Sequence, residues 1–396
     1  MKDLTRCVVN PPVPAEGFDS LAVPVHRGST IRFATSREYQ SRGERGHAGY
    51  SYGLYGTPTT RTLEAKLTAL EHGAWTVLLP SGQAANSFAM LPFLSAGDRV
   101  LIADSAYPPV RDFADRDLAR LGIEAGYYDP TDVADLERRI DGRTRLVWCE
   151  SPGSTTMEVQ DLPAIAAVAR RHGALVGCDN SWATPLNFKP LDHGADLVTE
   201  ALTKYVGGHS DLLMGSLTVR DEALIPPIRG CLGRYGIGVS PDDASLVLRG
   251  LETLGVRMRH AAEGAAALAW RLSAHPMVRQ VLYPPLAHSP GHDLWKRDFA
   301  GASGVFGVVF TDAAAPHVLP ALDVLRTFAI GASWGGTRSL MAPMPIKRHR
   351  TARPWGGADL VLRISVGLED PSDLLDDVAA LLDEVSARTG RAAADA

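Results

Sequence analysis

Short apolar runs recur along most of the chain, and between them apolar residues follow a helical spacing. The first clear helix is LEAKLTALE, in which Leu63, Leu67 and Leu70 fall on one face. Six runs of strand length follow it: WTVLL at 75, RVLIA at 99, RLVWC at 145, ALVGC at 174, DLVTE at 196 and GSLTV at 215. Apolar strands that alternate with helices predict an α/β fold, with a mostly parallel sheet covered by helices on both faces.

The pattern changes after about residue 245. A long helical stretch is predicted from about Leu246 to His275, and the strands beyond it, GVFGVVF, RTFAI and VLRISV, are more widely spaced. An amphipathic helix is predicted from about Ser372. The first sixty residues show no clear periodicity and are rich in Pro, Gly, Arg and Tyr. We therefore predict an N-terminal arm over 1–60, a large domain over 61–245 and a smaller α+β domain over 246–396 that includes the linking helix.

Composition narrows the class of protein. The 396 residues are 45% hydrophobic and 21% charged, as in ordinary globular proteins, and the formal net charge is -5. This balance does not favour nucleic acid or an anionic membrane as a partner. No apolar run approaches the roughly 20 residues needed to cross a bilayer. The one basic cluster, KRHR at Lys347 to Arg350, is interpreted as a solvated loop.

The N-terminal segment and the cysteines indicate the cellular compartment in which the protein is expected. The opening residues, MKDLTRCVVNPPVPAEG, are too polar and too rich in proline for a signal peptide. The four cysteines, Cys7, Cys149, Cys178 and Cys231, share no metal-ligand spacing, so no metal site is predicted. Cys149 and Cys178 end apolar runs and are interpreted as buried thiols. A reduced, cytoplasmic protein is expected.

A lysine and an aspartate stand where predicted strands end. Lys204 follows DLVTEALT and precedes a Gly-rich turn, a setting in which burial lowers the pKa of an amine and makes it nucleophilic. Asp179 ends the strand in ALVGCDNSWATP, at the edge where α/β sheets bind ligands. Together they are the minimal pair for pyridoxal phosphate (PLP), with the Lys attached to the cofactor and the Asp on its ring nitrogen. A surface lysine and a helix N-cap are the structural alternatives.

Three further features of the sequence are typical of a site for a cofactor or an anionic substrate. PSGQAANSF places Ser81, Gly82 and Gln83 between a strand and a helix, where backbone N–H groups can cradle a phosphate. Any strand–turn–helix junction has this form, but no Walker loop or G-x-G-x-x-G stands in its place. Tyr107 follows a strand end and can stack on a planar cofactor. Arg363, inside an apolar strand, can grip a substrate carboxylate or form a structural ion pair.

These features, in this order, resemble the Cys/Met-metabolism family of PLP-dependent enzymes. The likeness runs nearly end to end, through segments that include YGLYGTPTTRTLEAKLTALE, PSGQAANS, ADSAYPP, ESPGSTTMEVQDLPAI, CDNSWATP, LTKYVGGHSD and LRISVGLED. The SWGG segment at Ser333 to Gly336 is the most discriminating one. Members that act at Cγ usually carry SLGG, so Trp334 favours the β-lyase branch, which cleaves cystathionine.

The resemblance implies an aspartate-aminotransferase-like fold, PLP fold type I, with a mostly parallel seven-stranded sheet. It also implies a tetramer of two active dimers. Lys204 would carry the cofactor, Asp179 would pair with its ring nitrogen, and Tyr107 would stack on the ring. The other implied contacts are Gly82, Gln83, Ser181 and Thr203 around the phosphate, Tyr52 from the neighbouring subunit, and Ser333, Trp334 and Arg363 at the substrate carboxylate.

The implied reaction is β-elimination from an amino-acid substrate. Lys204 would remove the Cα proton, and Lys204 or Tyr107 would protonate the departing thiolate. Cystathionine, or a related cysteine S-conjugate, would then yield a thiol such as homocysteine, together with pyruvate and ammonia. The alternatives are a γ-lyase or γ-synthase acting on cystathionine, methionine or an O-acyl-homoserine, and a non-catalytic relative.

One position departs from the family pattern. The family has Tyr-x-Arg in the N-terminal arm, and its Arg crosses to the phosphate of the neighbouring subunit. This chain has Tyr52, Gly53 and Leu54. A phosphate carries about two negative charges and a helix N-terminus offers only about half a positive charge, so another arginine is expected to compensate. Arg61 is predicted for this role, with Arg42 and Arg45 as the other candidates.

Overall fold

The computed structural model describes residue 17, residues 20–47 and residues 49–394. Two sheets organise this part of the chain, and the larger one has seven strands. Its strands are β1 (Trp75–Leu79), β2 (Arg99–Ala103), β3 (Glu124–Tyr128), β4 (Thr144–Glu150), β5 (Leu175–Asp179), β6 (Leu197–Glu200) and β7 (Gly215–Val219). Their order across the sheet is β1-β7-β6-β5-β4-β2-β3.

Most pairs in this sheet are parallel. β2 pairs in parallel with β3 and β4, and β5 does so with β4 and β6. Only β7 runs antiparallel to its neighbours, β1 and β6. Every residue of β6 and β7 is buried, as expected for strands covered on both faces. The predicted α/β architecture is confirmed.

The second sheet is smaller and mostly antiparallel. It consists of β8 (Val278–Leu282), β9 (Val305–Phe310), β10 (Ala329–Ile330), β11 (Leu340–Met344) and β12 (Val361–Ser365). Their order is β10-β11-β12-β9-β8, and only β10 and β11 pair in parallel.

Helices cover both sheets, and several begin with a side-chain cap. Ser81, Asp161 and Ser240 each accept a hydrogen bond from a backbone N–H in the first turn of the helix that follows. The α-helices are Ser36–Gln40, Pro58–Glu71, Gly82–Met90, Pro108–Phe113, Val133–Arg139, Leu162–Arg171, Thr184–Asn187, Ile225–Tyr235, Pro241–Glu252, Leu254–Ser273, His292–Asp298, Ala315–Ala321 and Pro371–Ala394. A π-helical turn at Ala114–Leu118 extends the fourth of these.

Short 3-10 turns join several of these elements. They lie at Ser41–Arg45, Gly53–Tyr55, Leu91–Phe93, Pro190–His193, Glu222–Leu224, Leu322–Val324 and Lys347–His349. Of these turns, Gly53–Tyr55 belongs to the predicted N-terminal arm and includes Leu54.

The predicted helical stretch over 246–275 is helical as far as Ser273 except at Thr253, where it is interrupted. Two helices occupy this stretch, Pro241–Glu252 and Leu254–Ser273, and they meet at Thr253. The backbone of Thr253 lies outside the helical region, with φ -110° and ψ 3°. All strands of the larger sheet lie within 75–219 and all strands of the smaller within 278–365. We propose Thr253 rather than residue 245 as the boundary between two domains, and residue 60 as the end of the arm.

A buried carboxylate ties the two sheets together. Asp104, directly after β2, accepts hydrogen bonds of 3.0 Å from the backbone N–H groups of Thr351, Ala352 and Arg353, in the segment between β11 and β12. Arg111 donates to the same carboxylate at 2.8 Å, and both side chains of this ion pair are buried. Burial alone raises the pKa of Asp104, but the N–H groups of Arg353 and Thr351, together with Arg111, outweigh it and lower that pKa.

The interpretation of KRHR as a solvated loop is wrong for its last residue. Lys347 and Arg348 are exposed, but Arg350 is only 7% exposed. Its guanidinium donates to Glu158 and to Thr156, both on the segment that follows β4. Arg350 therefore adds a second contact between the larger sheet and the segment between β11 and β12.

Replacing Asp104 with asparagine tests this connection. Asp104→Asn leaves the buried Arg111 without its charge partner, and breaking a buried pair in this way costs about 3–5 kcal/mol. We expect the urea midpoint of unfolding to fall clearly, measured at fixed protein concentration. The exposed Asp112→Asn is the control and should stay within about 0.5 kcal/mol of the wild type. Equal midpoints for the two variants would contradict the role given to Asp104.

Candidate active site

A single pocket opens where the carboxyl ends of the parallel strands face the second sheet. Parallel sheets bind ligands at this edge because their loops and helix N-termini converge there. The pocket is lined by Ser81, Gly82, Gln83, Asn86, Tyr107, Glu150, Ser154, Asp179, Ser181, Ala201, Thr203, Lys204, Leu213, Ile330, Gly331, Ala332, Ser333, Trp334, Ala342, Pro343, Met344 and Arg363. Every predicted site residue except Tyr52 is in this set.

Lys204 lies in the loop after β6, and its side chain is half-buried. Its Nζ donates a hydrogen bond of 2.6 Å to Ser333 Oγ, in the segment between β10 and β11. Burial lowers the pKa of Lys204 to about 8, and the positive charge of Arg363 adds to the effect. The structure therefore does not support the alternative of an ordinary surface lysine.

A glycine permits the approach of the second sheet to Lys204. Gly335 has φ +79°, a conformation that favours glycine, and a Cβ there would lie 3.3 Å from Lys204 Cα and 2.9 Å from Tyr205 N. A side chain at this position would push apart the two segments that carry Lys204 and Trp334. The Nζ of Lys204 lies 5.4 Å from the centre of the Trp334 ring.

Asp179 is the last residue of β5, and two donors fix its carboxylate. Asn86 Nδ2 donates to Oδ2 and the N–H of Ser181 donates to Oδ1, each at 3.0 Å. Thr199 Oγ1 donates to Asn86 Oδ1 at 2.6 Å, which sets the orientation of the amide. The cap of the next helix, Thr184–Asn187, is Ala183 rather than Asp179. The helix-cap alternative for Asp179 is therefore wrong.

The segment Ser81–Gln83 forms the start of a helix, as predicted. Ser81 Oγ accepts from the N–H of Ala84 at 3.1 Å, and the first N–H groups of Gly82–Met90 have no partner within the helix. A Cβ at Gly82 would lie 2.5 Å from the Cβ of Ala201, so only glycine fits there. Ser181 and Thr203 lie beside this helix start, and their hydroxyls also contact backbone groups of Ala201 and Met214.

Arg363 lies in the middle of β12, and its side chain reaches the pocket. The residue is 8% exposed, and Nη2 donates to the backbone oxygen of Ser333 at 3.1 Å. Burial lowers the pKa of Arg363. Within the part of the chain that the structure describes, no carboxylate lies within ion-pair distance of Arg363. The ion-pair alternative therefore finds no support, and the guanidinium is available to an anionic ligand.

Tyr107 and Glu150 meet at the pocket wall. Glu150, the last residue of β4, accepts a hydrogen bond of 2.6 Å from the N–H of Tyr107. Burial, followed by the nearby charge of Asp179, raises the pKa of Glu150 well above its usual range. Burial also raises the pKa of Tyr107, with a further contribution from Glu150.

The N-terminal arm lies away from this pocket. Tyr52 is 50% exposed, and Leu54 lines a separate small cavity with Arg61 and Arg229. Arg61 pairs with Glu64 at 2.8 Å. Because Arg61 is also bonded to the backbone oxygen of Tyr55, the expectation that Arg61 compensates for Leu54 is not supported.

Several residues that line the pocket were not predicted from the sequence. Asn86 lies one helical turn after Gly82 and therefore faces the same way, a signal that the helix itself offered. Glu150 ends an apolar strand as Asp179 does. The apolar residues of the pocket mouth, Leu213, Ile330, Ala332, Pro343 and Met344, carry no local signal of this kind.

Comparison with known proteins assigns the chain to a class. A family model described as "Cys/Met metabolism PLP-dependent enzyme" matches residues 5–383, so the chain belongs to that family and PLP is its cofactor. It is 43% identical over 376 residues to a putative cystathionine beta-lyase of Rhizobium johnstonii, covering 93% of this chain and 92% of the relative.

Two further relatives show the breadth of the family. An L-alanine/L-glutamate racemase of Wolbachia pipientis is 39% identical over 392 residues, covering 94% of this chain and 95% of the relative. The crystal structure of metB from Corynebacterium glutamicum superposes with a TM-score of 0.85 at 29% identity, covering 93% and 94% of the two chains.

The residues of the pocket fit PLP. Lys204 offers an amine with a lowered pKa, and Asp179 offers a carboxylate held by two donors. The start of Gly82–Met90 offers backbone N–H groups to an anion, and Gly82 packs too closely against Ala201 to carry a side chain. Amine, carboxylate and anion cradle are the three groups that this cofactor requires.

Replacing Arg363 tests the electrostatic part of the Lys204 environment. In the cofactor-free protein, Arg363→Gln should raise the pKa of Lys204 toward 10.5 without restoring it, because burial, the larger cause, remains. The pH dependence of Lys204 acetylation, followed by peptide mass spectrometry, measures this pKa. Arg249→Gln, at an exposed position of Pro241–Glu252, should leave the pKa unchanged. An unchanged pKa of Lys204 in Arg363→Gln would mean that burial alone lowers this pKa.

Proposed function

We propose that the chain is a PLP-dependent carbon–sulfur β-lyase that cleaves cystathionine, or a related cysteine S-conjugate, to a thiol such as homocysteine, pyruvate and ammonia. The observation that carries the proposal is that Lys204, Asp179 and Arg363 converge on one pocket. Bound PLP supplies an electron sink for the electron pair left at Cα when its proton is removed. Relatives named cystathionine beta-lyase in Rhizobium johnstonii and Bordetella avium support the choice of substrate.

Lys204 is the base that we assign to the Cα proton. A base must be neutral to accept a proton, and a pKa of about 8 leaves a substantial neutral fraction of this amine at slightly alkaline pH. Ser333 Oγ holds Nζ in one place through the 2.6 Å hydrogen bond. The sulfur then leaves with the electron pair of the Cβ–S bond, and Lys204 or Tyr107 donates a proton to the thiolate.

Arg363 is assigned to the substrate α-carboxylate. Its guanidinium carries parallel donors that match a carboxylate, and it is buried beside Ser333 and Trp334. The same contact brings the substrate next to Lys204 Nζ. The orientation in which Arg363 binds the substrate is therefore also the one in which its proton is removed. Trp334, within SWGG, supports elimination at Cβ.

The remaining contacts concern the cofactor. Gly82, Gln83, Ser181 and Thr203 are proposed to hold its phosphate, since they surround the start of Gly82–Met90. Asp179 is proposed to bind the ring nitrogen, with Asn86 fixing the carboxylate. Tyr107 is proposed to stack on the ring.

We also propose a homotetramer of two active dimers, in the cytoplasm. The exposed Tyr52 supports a role at a neighbouring subunit, because it lies outside the pocket of its own chain. For the charge missing at Leu54 we favour Arg42, which takes part in none of the ion pairs of the described residues.

The thiols of Cys149, Cys178 and Cys231 are free and buried, which supports a reducing compartment, and Cys7 lies outside the described residues. None of the described helices is both long and apolar enough to span a bilayer.

A second candidate is amino-acid racemisation. The 39% identity to the Wolbachia racemase favours it, and racemisation too requires removal of the Cα proton. The two reactions diverge only after this step. Elimination needs a leaving group at Cβ, whereas racemisation needs a proton returned to the opposite face of Cα.

Product analysis separates these reactions. We expect pyruvate and homocysteine from cystathionine, in a panel with cysteine, cystine, methionine, O-acetylhomoserine and L-alanine. Lys204→Ala should abolish pyruvate formation, and the exposed Lys296→Ala should leave it near normal. If 2-oxobutyrate is the main product, the enzyme acts at Cγ. If D-alanine forms from L-alanine without pyruvate from any thioether, the enzyme is a racemase.

A further inference from the structure

Two carboxyl groups and an amide come together near the ends of β5 and β6. Glu71 is the last residue of Pro58–Glu71, Glu200 is the last residue of β6, and Asn180 directly follows β5. Glu71 and Glu200 are each 1% exposed, and Asn180 is fully buried. Asn180 Nδ2 donates to Glu71 Oε1 at 3.3 Å and to the backbone oxygen of Phe188 at 2.9 Å. We call Glu71, Asn180 and Glu200 the carboxyl cluster.

Four oxygen atoms of the carboxyl cluster are buried, and none has a hydrogen-bond partner among the described residues. They are Glu71 Oε2, both carboxyl oxygens of Glu200, and Asn180 Oδ1. All four are acceptors when the carboxyl groups are ionised. Buried polar atoms are nearly always paired, so four unpaired acceptors at one place indicate a missing donor or a missing positive charge.

One lysine acts on the carboxyl cluster, but it is not in contact with the carboxyl groups. The charge of Lys189 lowers the pKa of both Glu71 and Glu200. Its Nζ donates to the backbone oxygens of Leu70 and Pro185, and among the described residues no ion pair joins it to either carboxylate. One lysine opposite two carboxylates leaves one negative charge without compensation.

The other charges near the carboxyl cluster are negative. Asp192 raises the pKa of Glu71, and Asp179 raises that of Glu200. His72 Nδ1 lies 2.9 Å from Asp192. Burial is the largest cause in both cases, and it too raises the pKa of each carboxyl group, to which the charge of Glu71 adds at Glu200. Two ionised carboxylates at this place therefore require a proton or a cation between them.

A shared proton satisfies only part of the carboxyl cluster. A proton on Glu200 accounts for two of the four oxygens, the one that carries it and the one that accepts its hydrogen bond. The other two remain without a donor. A cation can contact all four oxygens at once, as oxygen dipoles do when they replace the hydration shell of potassium.

The ligands and the charge indicate a monovalent cation. Ca2+ takes six to eight oxygen ligands, and Mg2+ usually keeps several waters in an octahedral shell. The carboxyl cluster offers four oxygens and one uncompensated charge. No group of three His, Cys, Asp or Glu side chains in the described part of the chain is arranged to hold a metal, so a transition-metal centre is not indicated.

We propose that Glu71, Asn180 and Glu200 bind a dehydrated monovalent cation such as potassium. Asn180 directly follows Asp179, and Glu200 lies four residues before Lys204. A cation held between them ties together the ends of the two strands that carry the cofactor site. The inference does not depend on which reaction the enzyme catalyses.

Thermal unfolding of the PLP-loaded protein tests the site without a substrate. The protein is dialysed into tetramethylammonium chloride, which is then replaced stepwise by potassium chloride or sodium chloride at constant ionic strength. Tetramethylammonium is too large to fit between the four oxygens. We expect the midpoint to rise saturably, by at least about 2 °C, in one or both of the smaller cations, because a ligand of the folded state stabilises it. Equal midpoints in all three salts would overturn the proposal.

Glu200→Gln separates a bound cation from a general effect of salt. The amide brings its own donor to Glu71 and removes the uncompensated charge, so the variant should fold and have the same midpoint in all three salts. The exposed Glu222→Gln is the matched control and should keep the full dependence on the cation. A dependence of equal size in the two variants would overturn the assignment to the carboxyl cluster.

The pH dependence distinguishes a cation from a shared proton. The raised pKa of each carboxyl group means that a proton occupies the carboxyl cluster at lower pH and is displaced when the cation binds. Stabilisation by the cation should therefore increase as the pH rises from about 7 to about 9. A stabilisation that falls over this range would contradict the proposal.

Anomalous scattering locates the cation in the wild-type protein and needs no variant. Crystals soaked in rubidium chloride, with rubidium as the substitute for potassium, should show an anomalous peak among the oxygens of Glu71, Asn180 and Glu200. Electron density without an anomalous signal at this place would mean a water molecule or a shared proton only, and it would overturn the proposal.

Discussion

The amine of Lys204 is half-buried, and it shares its pocket with a buried cation, Arg363. Both effects disfavour the charged form of the amine, and together they lower its pKa to about 8. An amine in this state can accept a proton or attack a carbonyl, which a solvated lysine does poorly near neutral pH. The chemistry proposed for the enzyme requires this environment.

Two sheets supply that environment from different parts of the chain. The larger sheet places Lys204 after β6 and Asp179 at the end of β5. These two strands are parallel neighbours in the sheet. The smaller one contributes Ser333 from the segment after β10 and Arg363 from β12. Gly335 lets the second segment approach the first, and Asp104 fastens the segment between β11 and β12 to the end of β2. The geometry at Lys204 thus depends on contacts some distance from it.

Local sequence pointed to three of the four charged residues that line the pocket, and Glu150 is the one that it missed. Lys204, Asp179 and Arg363 each follow or interrupt an apolar strand, and burial of a charged side chain is costly unless it has a function or a partner. The parallel order of β5 and β6, which the alternation of strands and helices predicted, brings Asp179 and Lys204 to the same edge of the larger sheet, whereas Arg363 reaches the pocket from the second sheet.

Features that depend on tertiary contacts were not predictable in this way. Arg350 is buried only because Glu158, nearly two hundred residues earlier, lies opposite it. The break at Thr253 carries no proline, and the helical pattern continues across it. The apolar residues that line the pocket come from two segments more than a hundred positions apart, so no local pattern shows them together. Arg61 was predicted to be free for the phosphate, yet it pairs with its neighbour Glu64.

Reduction of the PLP-loaded protein with borohydride, followed by peptide mapping, tests the central claim most directly. The reagent fixes the bond between the cofactor and the amine that carries it, whatever the substrate of the enzyme. The environment described for Lys204 predicts the pyridoxyl group on the peptide that contains Leu202 to Asp211, at Lys204. A pyridoxyl group on another lysine would contradict the account of the site.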